Sequence, residues 1–184
     1  QSPLVDYQRT AAAAFASFTL NEESKAKIVR EGGLAQILSC MRYNDLEVQR
    51  DCSFALANLA DSLEYQDDVA REGGIECLVA VGLSDDARVQ RDCARALASL
   101  SVPTEIKSQI IAKRGLPTLF ALARSLDVAS QRYATLGICN LSAGEEKATI
   151  VEEGAVRPLL FLARFPDIEV QRYVALLLCG GCGC

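Results

Sequence analysis

The dipeptide Gln-Arg stands at residues 8-9, 49-50, 90-91, 131-132 and 171-172, so one signal returns after 41, 41, 41 and 40 residues. A glycine column runs beside it at Gly33, Gly74, Gly115 and Gly154. A fixed period in the forties describes a chain of supersecondary units, none able to bury its apolar face alone, that stack into a helical solenoid. Solenoids offer long surfaces rather than enclosed pockets, which points to binding of other macromolecules.

Composition agrees. Half of the residues are hydrophobic but only 6% are aromatic and none is tryptophan, so Leu, Ile, Val, Ala and Cys must fill the interior. The net charge of −5 opposes nucleic acid as a main partner, because gripping a phosphate backbone calls for a clustered basic excess. No stretch of about 20 residues is apolar throughout, and residues 1-20 lack a secretory pattern. The expectation is an intracellular, soluble protein without direct membrane insertion, most simply cytoplasmic, with nuclear, ciliary or membrane-associated locations open. Of the eight cysteines, Cys52 and Cys93 share a repeat position with Ala11, Ala134 and Val174, and Cys139 and Cys179 fall where Ala16, Ala57 and Ala98 sit. They read as reduced packing thiols. With no histidine in the chain, a zinc site or His-based catalysis is not expected, and no cofactor is implied.

Cutting after Leu20 leaves 1-20 as the remnant of a preceding repeat and gives four units, 21-61, 62-102, 103-143 and 144-184. In the first, Ser24 to Glu31 reads as a short helix stopped by Gly32-Gly33. Leu34, Ile37, Leu38 and Met41 line one face of a second helix. A third helix opens at Asp45, whose counterparts Asp86, Asp127 and Asp167 form a column of N-caps, with Leu4 in the remnant. Its buried stripe is Val48, Cys52, Ala55, Leu56 and Leu59, repeated as Val89, Cys93, Ala96, Leu97 and Leu100. The stripe recurs with drift as Ser130, Ala134, Gly137, Ile138 and Leu141, and as Tyr7, Ala11, Ala14, Phe15 and Phe18.

A short helix, a glycine turn and two longer helices in about 41 residues resemble the armadillo repeat. The segments that carry the likeness are Glu-Gly-Gly-Leu-Ala-Gln-Ile-Leu (31-38), Glu-Val-Gln-Arg-Asp-Cys (47-52) and Ala-Leu-Ala-Asn-Leu-Ala (55-60). Val-Gln-Arg followed by an Asn-Leu ending looks most like the vacuolar membrane armadillo protein and similar long arrays. HEAT repeats, with two helices, leave the short leading helix unexplained. The resemblance implies an all-α, right-handed superhelix with three helices per repeat, whose third helices line a concave groove. Extended peptides lie along such a groove, held by an asparagine ladder.

The matching ladder position, eight residues after each arginine, holds Ser17, Asn58, Ser99, Asn140 and Gly180. Four and seven residues earlier, at about the same azimuth, stand Phe54 and Asp51, Arg95 and Asp92, Leu136 and Tyr133, Leu176 and Tyr173. The expected groove is acidic early and aromatic later. Importin-α-like cargo binding loses its key element, since Ala13, Phe54, Arg95, Leu136 and Leu176 replace the tryptophans implied four residues before the asparagines. Asp51 and Asp92 can still attract a basic peptide, with Phe54 as a weaker cation-π face. Capture of acidic ligands requires a basic groove, for which the candidate is the ladder Arg9, Arg50, Arg91, Arg132 and Arg172. Two readings of that ladder stand open: structural bonds to the next repeat, or contact with an acidic or phosphorylated segment. A mid-helix asparagine gains little locally, which favours ligand contact for Asn58 and Asn140. Tyr133 and Tyr173 are groove anchors or inter-repeat packing.

The glycine pairs form no phosphate-binding loop, and no nucleophile-base or metal constellation is present, so an enzyme is not expected. Residues 179-184, Cys-Gly-Gly-Cys-Gly-Cys, break the pattern, fit no metal or lipidation motif and predict a frayed final helix. Phe15 and Phe18 without a preceding repeat suggest a slice of a longer array and end-to-end self-association. The leading expectation is a non-enzymatic adaptor or scaffold for protein or peptide ligands. The alternative is a structural subunit of a cytoskeletal, ciliary or membrane-tethered assembly.

Overall fold

A computed structural model describes residues 3-143 and 147-178. They form thirteen α-helices and no strand. After α1 (Pro3–Phe18) come four triplets: α2 (Glu22–Arg30), α3 (Gly33–Met41) and α4 (Leu46–Ala60); α5 (Gln66–Arg71), α6 (Gly74–Val81) and α7 (Ala87–Leu100); α8 (Thr104–Ala112), α9 (Gly115–Leu122) and α10 (Val128–Ser142); α11 (Lys147–Glu152), α12 (Val156–Leu162) and α13 (Ile168–Leu178). The tail beyond Leu178, and Gly180 with it, lies outside the described residues.

Each third helix starts where an aspartate can satisfy orphan backbone donors. Asp45 accepts from the Val48 N–H at 3.1 Å, Asp86 from Arg88 and Val89 at 3.1 Å each, Asp127 from Ser130 at 2.8 Å and Asp167 from Val170 at 3.1 Å. The first short helix begins two residues earlier than the pattern predicts. Asn21 caps it, accepting from the Ser24 N–H at 3.0 Å, and Glu22 and Glu23 complement its positive end.

The glycine column of the sequence merges two positions. The left-handed residue of the turn into each second helix is Gly32 (φ 76°), Gly73 (φ 94°), Arg114 (φ 62°) and Gly154 (φ 94°). Gly33, Gly74 and Gly115 come one residue later, where the helices cross closely: a Cβ on Gly74 would stand 2.5 Å from Val69 Cγ1 and 2.6 Å from its carbonyl oxygen. Gly154 therefore matches Gly32, and buried Ala155 matches Gly33. The last unit is shortened by one residue before its turn, as its 40-residue Gln-Arg step requires.

The third helices lie side by side, α1 on α4, α4 on α7, α7 on α10 and α10 on α13, with the second helices packed behind them. The stripe Val48, Cys52, Ala55, Leu56, Leu59 and its repeat Val89, Cys93, Ala96, Leu97, Leu100 are all fully buried. Burial pushes the Cys52 and Cys93 thiols far above their usual range, which leaves them inert. On α1 the stripe is only partly core: Phe15 packs against the core, whereas Tyr7 is 74% and Phe18 54% exposed.

The Gln-Arg signal now has a physical reason. From Gln49 on, each glutamine of the signal donates Nε2 to a carbonyl six residues back, closing the loop in its own unit: Gln49 to Tyr43 at 2.9 Å, Gln90 to Ser84 at 2.7 Å, Gln131 to Ser125 at 2.6 Å and Gln171 to Phe165 at 2.9 Å. Each of the first four arginines reaches forward to the capping aspartate of the next unit: Arg9 to Asp45 at 2.8 Å, Arg50 to Asp86 at 2.6 Å, Arg91 to Asp127 at 2.6 Å and Arg132 to Asp167 at 2.7 Å. One residue shapes the unit and its neighbour joins it to the next.

Candidate functional site: the face of the third helices

Residues at positions −3, +1, +4 and +8 from each arginine fall near one azimuth of the third helices α1, α4, α7, α10 and α13. The rows of this face read Asp6, Thr10, Ala13, Ser17; Glu47, Asp51, Phe54, Asn58; Arg88, Asp92, Arg95, Ser99; Ala129, Tyr133, Leu136, Asn140; and Glu169, Tyr173, Leu176.

The first half of this surface is knit together from within. Arg95 extends its guanidinium toward α4, donating from Nη2 to Asn58 Oδ1 and from Nη1 to Asp61 Oδ2, each at 3.0 Å. It lies 5.5 Å from the centre of the Phe54 ring, a cation-π distance, and 3.6 Å from Asp92. Ser99 donates to the other Asp61 oxygen at 2.6 Å. Asn58 in turn donates to Thr19 at 3.2 Å and is only 8% exposed. The chain's own atoms thus satisfy much of Asn58. Asp61, which sequence reasoning missed, is the acidic centre of the cluster. The one signal was its position eleven residues beyond Arg50, where the helix pattern ends.

Burial pushes the carboxyls of Asp51 and Asp92 up. Arg88 opposes this at Asp51, and Arg95, Arg91 and Arg88 do so at Asp92. The capping aspartates behave oppositely. A hydrogen bond from Arg91 is the main cause holding Asp127 at about 2, and Asp45, Asp86 and Asp167 are held low in the same way by Arg9, Arg50 and Arg132. Arg50, Arg91 and Arg132 are therefore joints between units and not an open ladder of guanidinium groups. Arg172 is exposed on α13.

The second half is open. Asn140 donates Nδ2 to the Ala98 carbonyl at 3.3 Å and to Ser101 Oγ at 3.2 Å, and among the described residues its carbonyl oxygen accepts no hydrogen bond. Beside it, Ala129, Arg132, Tyr133 and Leu136 of α10 and Glu169 and Tyr173 of α13 line a concavity of about 270 Å³. Tyr133 and Tyr173, distant in sequence, meet there. Burial raises the Tyr173 hydroxyl's pKa, and the neighbouring Glu169 charge adds to it.

No protein-family model and no curated protein matches the chain. Solved structures do. An engineered protein superposes with a TM-score of 0.85 at 32% identity, over 94% of this chain and 72% of that one. A computationally designed armadillo repeat protein for modular peptide recognition gives 0.87 at 23% identity, over 94% and 74%. A designed armadillo repeat protein in complex with the peptide (KR)4 gives 0.81 at 21% identity, over 94% and 73%. The chain has the armadillo-repeat fold.

Its short leading helices α2, α5, α8 and α11 mark each armadillo unit and answer the two-helix HEAT alternative. The likeness stops at the fold, for nothing in it singles out the vacuolar membrane armadillo protein. At the ladder position Asn58 and Asn140 both donate to a hydroxyl of the preceding unit, Asn58 Oδ1 is also taken by Arg95, and Ser99 is bonded to Asp61. Among the described residues no cluster of three metal-ligating side chains occurs, and no helix is long and apolar enough to cross a membrane.

Proposed function

We propose that the protein is a non-enzymatic scaffold that holds an extended peptide segment of a partner along the face of its third helices. The observation that carries this reading is the open half of that face, where Asn140 presents a free backbone-type acceptor beside a concavity lined by two half-buried tyrosines. A polar anchor for main chain next to an apolar recess for a side chain is the arrangement an extended ligand needs. Designed armadillo proteins of the same fold are made for peptide recognition, and one is in complex with (KR)4.

Selection of a displayed library of 12-residue peptides on the whole chain tests the reading. Binders should weaken about tenfold or more with Leu136→Glu, which places a charge in the recess, and should be unaffected by Glu72→Lys, exposed in the turn behind the groove. Binders that tolerate Leu136→Glu and fail with Glu72→Lys would overturn it.

A second reading, the structural subunit that contacts neighbours through its ends, is favoured by exposed Phe18 and Leu20 at one end and Leu160 and Phe161 at the other. End-on stacking predicts a sedimentation coefficient that rises with concentration and persists in high salt. Charge-based groove capture weakens with salt.

A further inference from the structure

The loops that join second to third helices line up along one edge of the solenoid, and that edge changes character along the chain. One column of it reads Asn44, Asp85, Leu126, Pro166, and the next but one reads Leu46, Ala87, Val128, Ile168. Phe161 likewise stands where Ser39, Ala80 and Ala121 stand earlier. All of these residues are exposed, in interior units as in the last, so the stacking of units covers none of them. Leu126 is 102%, Ile168 82% and Phe161 48% exposed. Phe165 braces Phe161, with ring centres 6.3 Å apart, and the two line a concavity of about 530 Å³ with Leu160, Arg164 and Pro166. Isolated apolar side chains are ordinary on a protein surface; a contiguous group of them marks an interaction site.

Charge decides the kind of partner. Arg124 and Arg164 follow the ends of α9 and α12 on this same edge; both are exposed, and neither forms an ion pair among the described residues. The carboxylates beside them are spent. Asp127 is taken by Arg91 at 2.6 Å and Asp167 by Arg132 at 2.7 Å, while Glu169 is engaged by Tyr173 and by the charge of Arg132. In a chain of net charge −5 this patch is locally cationic. Apolar side chains flanked by guanidinium groups suit the boundary of a bilayer, where hydrocarbon lies beneath a layer of phosphates.

We propose that this edge of the third and fourth units docks on the surface of an anionic lipid bilayer. Leu126, Phe161 and Ile168 enter the headgroup layer, and Arg124 and Arg164 pair with lipid phosphates. The contact is with one leaflet, since no described helix is long and apolar enough to cross a membrane. It does not depend on the peptide-groove reading.

The test uses the whole chain with vesicles of phosphatidylcholine, alone or mixed equally with phosphatidylserine. The chain has no tryptophan, so Phe161→Trp supplies a single reporter at the patch and Ser39→Trp one at the matching position of the first unit. The expected result is sedimentation with the mixed vesicles only, weaker in high salt. The emission of Phe161→Trp should shift to the blue and be quenched by brominated lipid, while that of Ser39→Trp stays unchanged. Arg124→Gln with Arg164→Gln should weaken partitioning about tenfold or more, and Leu126→Asp with Ile168→Asp should abolish it. Both pairs are exposed and should leave the melting temperature unchanged. Absence of binding, equal binding to phosphatidylcholine alone, equal quenching of both reporters, or binding that survives either pair of substitutions would overturn the proposal. So would self-association without lipid binding that Leu126→Asp with Ile168→Asp removes, which would assign the surface to a second copy of the chain.

Discussion

Because Asp127 caps α10 and also receives Arg91 from α7, replacing it removes an interaction within one unit and another between two. Asp127→Ala should cost about 1–2 kcal/mol through the cap, and chemical denaturation measures it. A double-mutant cycle of Arg91→Ala with Asp127→Asn should return a coupling of up to about 1 kcal/mol, modest because Arg91 is half exposed. Zero coupling would remove the ion pair as a joint. The cap was legible in the sequence because it acts over three residues. The arginine's partner was legible only as one of two options, since it lies 36 residues away and is found by adding the repeat period. Asn58 was half within reach: Thr19, 39 residues off, stands in a hydroxyl column with Ser101 and Ser142, and Asn140 repeats the bond to Ser101, whereas Arg95, 37 residues off, has no like residue in its column.

At the scale of the element, the turn between first and second helices sets how closely they cross. Arg114 is the non-glycine residue in a left-handed conformation among the described residues, and relief of its Cβ strain outweighs the added freedom of the unfolded chain. Arg114→Gly should therefore stabilise by about 0.5–1 kcal/mol. Gly74→Ala should destabilise by about 1–3 kcal/mol, because the new Cβ meets the Val69 backbone, which cannot yield as a side-chain tip can. Thermal melts of the two variants should move in opposite directions. The sequence showed a glycine beside every turn, yet it could not separate the residue that bends the chain from the one that lets helices touch. A 39-residue step at Gly154 was the trace of that difference. The third helices were the most legible elements, since the period of their apolar stripe and the cap agree. On α1 part of the same stripe is exposed, which periodicity alone does not reveal.

For the molecule as a whole, the two sets of aspartates carry opposite perturbations. Those at the joints are held below their usual range, so the stability they confer is complete above the ordinary aspartate value near 3.9 and is lost as pH falls toward about 2, the value for Asp127. Those on the groove, Asp51 and Asp92, are raised by burial, and their protonation favours the folded state. Carboxyl signals followed by NMR should show Asp51 and Asp92 titrating first on acidification, while far-UV circular dichroism stays constant until the joint aspartates protonate. Coincident loss of helicity and groove charge would contradict this order. With no histidine in the chain, no imidazole adds a positive charge above that range. Acidification thus acts on surface charge before architecture: Asp51 and Asp92 lose their charge in a protein whose unit joints still hold, and regain it when the acid is neutralised.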